Sequence, residues 1–157
     1  MDAKQISETF FVAQQLDPTD LPAIAEAGFR AIMCNRPDEE DAGQPSFQEI
    51  AAAANELGLD AYHLPVKPGA INDEHVEAFG NARKSLPGPM LAYCRTGTRS
   101  AILWSLNEAQ SRPLSEILAA TRSAGYDMDK LAPKIAARAK SQAKNGDASL
   151  EASASGQ

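Results

Sequence analysis

Cysteine and histidine each occur only twice in 157 residues, too few for a disulfide framework or a Cys/His metal cage. A reducing compartment would keep Cys34 and Cys94 as thiols. His63 and His75 have no partners at ligand spacing, so both read as structural or surface residues, and neither a metal nor a cofactor is expected. Positive charge is short as well. Fifteen Lys and Arg face 21 Asp and Glu for a net charge of −6, which argues against a general nucleic-acid binder. No apolar run approaches the roughly 18 residues of a membrane span. The opening MDAKQISETF lacks the basic-then-apolar order of a secretory signal. The expectation is a cytoplasmic protein with neither membrane nor nucleic acid as partner.

What is present is ordinary globular material, 43% hydrophobic and 23% charged, in a length that fits one domain. Apolar runs alternate with helix-like segments. Phe10–Leu16, Phe29–Cys34, Asp60–Val66 and Met90–Tyr93 read as strands. Helices are expected between them: one capped by Asp17 or Thr19 and stopped at Gly28, one opened by the Ser46/Glu49 capping-box pattern, and one from about Asn72 to Ser85. Three more come after Cys94, with Trp104 read as core. This alternation predicts an α/β fold: a single domain with a central, mainly parallel sheet flanked by helices. The domain is expected to span residues 1–140. Residues 141–157, small and polar with little to bury, read as a disordered tail.

The stretch AYCRTGTRS, Ala92 to Ser100, poses the functional question. Cys94 ends an apolar run and opens a glycine-containing loop that closes on arginine and serine at a helix start. Such a turn points backbone N–H groups inward, and the helix dipole adds positive potential. The dipole alone stabilises a thiolate there by at most about 2 kcal/mol. Converging N–H groups, the Ser100 hydroxyl and the Arg99 guanidinium would supply the rest. Cys94 is therefore a candidate nucleophile acting on a small anion, with Arg99 and Ser100 as catalytic companions. Arg95, Thr96, Gly97 and Thr98 form the candidate substrate cradle. Cys34, in an apolar run, reads as core. The acidic run Asp38 to Asp41 reads as a solvated loop.

The loop CRTGTR resembles the Cys-Arg-x-Gly-x-Arg/Thr loop of rhodanese sulfurtransferases. One residue short, it also resembles the Cys-x5-Arg-Ser/Thr loop of tyrosine and dual-specificity phosphatases. Together, CNRPDEE, HLPV, AYCRTGTRS and SAGYDMDKL resemble the phosphatase-like domain family of β-lactamase hydrolase-like proteins, over about Ser7 to Lys140. That resemblance implies a dual-specificity-phosphatase-like fold and adds Arg36, of CNRP, to the substrate-binding residues.

Three departures from the phosphatase pattern shape the functional expectation. The loop is one residue short, which removes up to about 3.3–3.6 Å of chain and suits a single extra sulfur on Cys94. Tyr93 stands where phosphatases place a loop-ordering histidine. The nearest counterpart of their general-acid aspartate is Asp73, in the first turn of a helix. The leading expectation is thus a sulfurtransferase that carries sulfane sulfur as a Cys94 persulfide to a thiol acceptor, with thiosulfate or glutathione persulfide as the anionic donor. A persulfide dioxygenase-type metallo-β-lactamase-like protein is the expected partner. The alternative is a phosphatase that hydrolyses phosphoesters through a Cys94 phosphocysteine. A third reading, from a different class, is a non-enzymatic anion- or persulfide-sensing module.

Overall fold

A computed structural model describes residues 1–141. Five strands, β1 (Lys4–Gln5), β2 (Phe10–Ala13), β3 (Ala31–Cys34), β4 (Asp60–His63) and β5 (Met90–Tyr93), form one sheet in the order β1-β2-β5-β3-β4. β2, β5, β3 and β4 run parallel, and the two-residue β1 joins β2 antiparallel at one edge. Helices α1 (Leu21–Glu26), α2 (Phe47–Glu56), α3 (Asp73–Ser85), α4 (Thr98–Asn107) and α5 (Leu114–Ser123) supply the crossovers and flanks. This is a single α/β domain with a mixed, mainly parallel sheet between helices, as the alternation of runs requires.

Side chains along a strand alternate between faces, and in β5 this alternation feeds two separate cores. Met90 and Ala92 enter one core with Phe79, Leu103 and Trp104, while Leu91 and Tyr93 enter the other with Ile24 and Ile50. With helices on both faces, all four residues of β5 are buried, which explains its unbroken apolar sequence. Trp104 is fully buried, as expected.

The chain visits β2, moves outward through β3 and β4, then returns to place β5 between β2 and β3. The carboxyl ends of β5 and β3 therefore lie side by side, at the kind of switch point where parallel sheets bind ligands. Cys94 comes directly after β5, and Asn35 and Arg36 directly after β3.

The local elements match expectation with trimmed boundaries. Asp17 caps a 3-10 turn, Pro18–Asp20, that leads into α1. The Ser46 hydroxyl accepts from the Glu49 N–H at 3.2 Å, which is one half of a capping box. The strand expected over Asp60–Val66 is assigned only to His63, although Leu64 and Val66 still donate backbone hydrogen bonds to Cys34 and Asn35 at the end of β3. The expected final helix is present over residues 132–141, so Ser141 is helical; the remainder of the expected tail, residues 142–157, lies outside the described residues. No helix among the described residues is long and apolar enough to cross a membrane.

Candidate active site

Cys94 sits at the floor of the loop between β5 and α4, with only 1% of its surface exposed. The Gly97 N–H donates to its Sγ at 3.0 Å. That approach needs the left-handed backbone of Gly97, at φ +97°, where a side chain would be strained. A side chain would also have no space. A Cβ on Gly97 would collide with the Tyr126 hydroxyl and lie 2.8 Å from Val12 Cγ1. Gly97 caps α4 without a side-chain bond, so the first-turn N–H groups of α4 and their dipole are available beside the sulfur.

Arg99, in the first turn of α4, is 6% exposed. Its Nη1 donates to Glu40 Oε2 at 2.7 Å and to the Val66 carbonyl at 2.8 Å, and its Nη2 donates to Glu40 Oε1 at 2.9 Å. A guanidinium has five N–H donors in a fixed plane. Three are used here, leaving the Nε–H and one Nη2–H as a parallel pair. Burial opposes the charge of Arg99, but Glu40 and the neighbouring Cys94 sulfur outweigh it and raise its pKa above the ordinary arginine value. Hydrogen bonds from Arg99 outweigh desolvation at Glu40 and, with those from Arg36, hold its carboxyl below the usual carboxylate range.

Asp38, Glu39 and Asp41 of the acidic run are exposed, as expected, but Glu40 is half-buried against two arginines. Arg36, 3% exposed, donates from Nε to Glu40 at 2.9 Å, from Nη1 to Gln15 at 2.9 Å and from Nη2 to Asp41 at 2.6 Å. All three of its nitrogens, expected to meet substrate, are engaged within the fold. Arg95 is exposed, with Nε 3.5 Å from Asp41 Oδ2. Thr96 and Thr98 are exposed on the loop's outer side, their hydroxyls 3.0 Å apart.

Ser100 also differs from expectation. Its hydroxyl donates to Asn35 Oδ1 at 2.8 Å rather than to the sulfur. Asn35, fully buried, donates from Nδ2 to the Leu64 carbonyl at 3.1 Å, and its N–H donates to the Tyr93 carbonyl at 2.8 Å. Ser100 and Asn35 thus pin the cysteine loop to the end of β3. Tyr93 does not order the loop by its side chain, because strand alternation turns it into the opposite core. There its hydroxyl lies against Cys34 without a well-aligned hydrogen bond. Burial raises the Cys34 pKa, and its Sγ donates to the Arg36 carbonyl at 3.3 Å, a core role as expected. His63 stacks on Phe47 and contacts the same carbonyl at 2.9 Å. His75 joins the cap of α3.

Asp73 is not at the cysteine loop. It opens α3 with its side chain 96% exposed and accepts from Arg138 Nη1 at 2.9 Å. Sequence reasoning passed over Glu40, Asn35 and Tyr126. Their only signals were membership of CNRPDEE and a tyrosine directly after the helix-stopping Gly125.

The family described as "Beta-lactamase hydrolase-like protein, phosphatase-like domain" matches residues 2–111. A beta-lactamase hydrolase-like protein of Agrobacterium fabrum is 35% identical over 109 residues, which cover 69% of this chain and 25% of that protein. The chain spans between a quarter and a third of the length of the curated relatives it matches. Among solved structures, a candidate phosphatase from Neisseria meningitidis is 32% identical with a TM-score of 0.78, covering 86% of this chain and 96% of the other. Tk-PTP in its active form superposes with a TM-score of 0.67 at 19% identity over 88% of this chain and 96% of its own, a likeness of fold. The fold is thus of the dual-specificity and tyrosine phosphatase kind. These likenesses favour the phosphatase alternative over sulfur transfer.

Proposed function

Because the chain belongs to the phosphatase-like domain family of beta-lactamase hydrolase-like proteins, we propose that it is a cysteine-dependent phosphohydrolase acting on phosphoesters. The observation that carries this reading is the pair of Arg99 donors that neither Glu40 nor Val66 engages, beside the Cys94 sulfur at the N-terminus of α4. A tetrahedral dianion accepts two parallel N–H bonds from such an edge, and the remaining oxygens suit the first-turn amides of α4.

In the proposed reaction the Cys94 thiolate attacks phosphorus, the S–P bond forms, and the ester P–O bond breaks as the alkoxide or phenolate leaves and takes a proton from solvent water. Water then attacks the phosphocysteine, releasing inorganic phosphate and restoring the thiolate. Charge spread over the equatorial oxygens is met by Arg99 and the amides, so catalysis is mostly positioning and electrostatics. With Asp73 committed to Arg138, esters with acidic leaving groups such as phenols suit the site best, since these depart without a dedicated acid. Arg95, Thr96 and Thr98, on the exposed rim, are proposed to meet the leaving group. The metallo-β-lactamase-like partner belongs to the proposal only as a further domain of the kind the relatives' extra length would accommodate.

Steady-state hydrolysis of an aryl phosphate tests the reading. Wild-type protein should release phosphate, Cys94→Ser should be inactive, and Arg99→Lys, which keeps charge but loses the parallel donors, should lose at least about 100-fold in kcat/KM. Full activity in Cys94→Ser would sink it.

A further inference from the structure

We propose that Lys67, on the loop after β4, is a specificity-determining residue that draws in phosphoesters whose leaving group bears a second anionic group, a carboxylate or another phosphate. The inference rests on the phosphohydrolase reading and narrows its substrate class.

The loops that leave the carboxyl ends of β2, β3, β4 and β5 gather around the cysteine site, as a parallel sheet dictates. Ahead of Arg99 they carry three cations: Arg36, Lys67 and Arg95. Arg36 is buried and paired with Glu40 and Asp41, and Arg95 shares Asp41. Lys67 is exposed and forms no ion pair among the described residues. The negative charge of these loops is also one-sided. Asp38 to Asp41 crowd the loop after β3, whereas residues 64–72, after β4, hold no carboxylate. The β4 side of the mouth is thus cationic, with one charge that the fold does not use.

The backbone keeps Lys67 at the site. Its neighbour Val66 is clamped from both sides: the N–H donates to the Asn35 carbonyl at 3.2 Å, and the carbonyl accepts from Arg99 Nη1 at 2.8 Å. From Lys67 the chain enters a β-turn, closed by the Ala70 N–H on the Lys67 carbonyl at 3.1 Å. Pro68 presets one central position, and Gly69, at φ +73°, takes the left-handed position that a type II turn requires. Lys67 therefore starts one residue from the carbonyl that holds Arg99, on a turn with little freedom to carry it away. The phosphoryl group is served by Arg99 and the α4 amides, which leaves Lys67 for a second charge. An ammonium on a flexible four-carbon stem acts as a point charge, so a carboxylate and a phosphate suit it alike.

The test compares, in the full chain, para-carboxyphenyl phosphate with para-carbamoylphenyl phosphate, an uncharged ester of nearly the same shape. Wild type should favour the carboxylate ester in kcat/KM by about three- to fivefold at low salt, the size of one exposed charge pair. Added salt should shrink that preference. Lys67→Ala should erase it, Lys67→Glu should invert it, and Lys67→Arg should keep it. A general loss of folding would lower both esters together and leave the ratio alone. In para-phenylene bisphosphate a second phosphate replaces the carboxylate: a larger Lys67-dependent gain there assigns a phosphate as the second group, an equal or smaller one a carboxylate. Equal rates on the two monoesters in wild type, or a preference that persists in Lys67→Ala, would overturn the proposal. Hydrolysis of neither ester by wild type would sink the phosphohydrolase reading, and NMR titration of Cys94→Ser with the same esters then decides. Tighter binding of the carboxylate ester that Lys67→Ala removes would keep Lys67 in its role. Equal binding, or none, would overturn it.

Discussion

The Tyr126 hydroxyl donates to the Thr96 carbonyl at 3.0 Å, joining residues 30 apart in sequence across the back of the cysteine loop. Burial, and then the Cys94 charge, raise the Tyr126 pKa and keep it a donor. The contact is close enough that only glycine fits at position 97.

Gly97→Ala should therefore cost about 1–3 kcal/mol through its positive φ alone, and more from the collision with Tyr126 and Val12. Tyr126→Phe, which removes only the hydroxyl, should cost about 1 kcal/mol. Denaturant melts give both values. Because the bond orients the loop rather than touching substrate, the activity loss in Tyr126→Phe should be small beside that of Arg99→Lys. Equal stability of Gly97→Ala and wild type would contradict the tight-loop geometry.

Asp73→Asn should leave aryl phosphate hydrolysis within about twofold of wild type, since Asp73 is paired with Arg138 and exposed. Its effect on stability should be below about 1 kcal/mol, the usual worth of a surface pair. A collapse in kcat would restore Asp73 as the general acid and require α3 to move toward Cys94.

The acid side of the stability profile carries a further expectation. Glu40 is held below its ordinary carboxylate value by Arg99 and Arg36. Its stabilising contribution is therefore complete above the unfolded value of about 4.3 and is lost as pH falls through the lower, folded value. Wild-type melting temperature should drop more steeply than that of Glu40→Gln below about pH 4. Parallel curves would mean that the ion pairs around Glu40 are not formed in solution.

Distance along the chain decided how much of this was legible. The sheet could be read because the runs Phe10–Leu16, Phe29–Cys34, Asp60–Val66 and Met90–Tyr93 each contain one strand. The cysteine loop could be read because its chemistry lies within seven consecutive residues, Cys94 to Ser100. The braces could not. Glu40 reaches Arg99 across 59 positions, and Ser100 reaches Asn35 across 65. In the sequence Glu40 was one acid in a run of acids, and Asn35 one polar residue after a strand. The preference for sulfur transfer rested on the length of the cysteine loop alone, whereas the likeness to phosphatases extends over most of the chain.

Rapid quenching of an aryl phosphate reaction, then mass analysis of the peptide that contains Cys94, tests the central claim most directly. The account requires a phosphoryl group on Cys94 that builds up within the first turnover and disappears as inorganic phosphate is released, with thiosulfate leaving no sulfur on the same peptide. A Cys94 peptide that never carries phosphoryl, but gains one sulfur atom from thiosulfate, would contradict the account and return the protein to sulfur transfer.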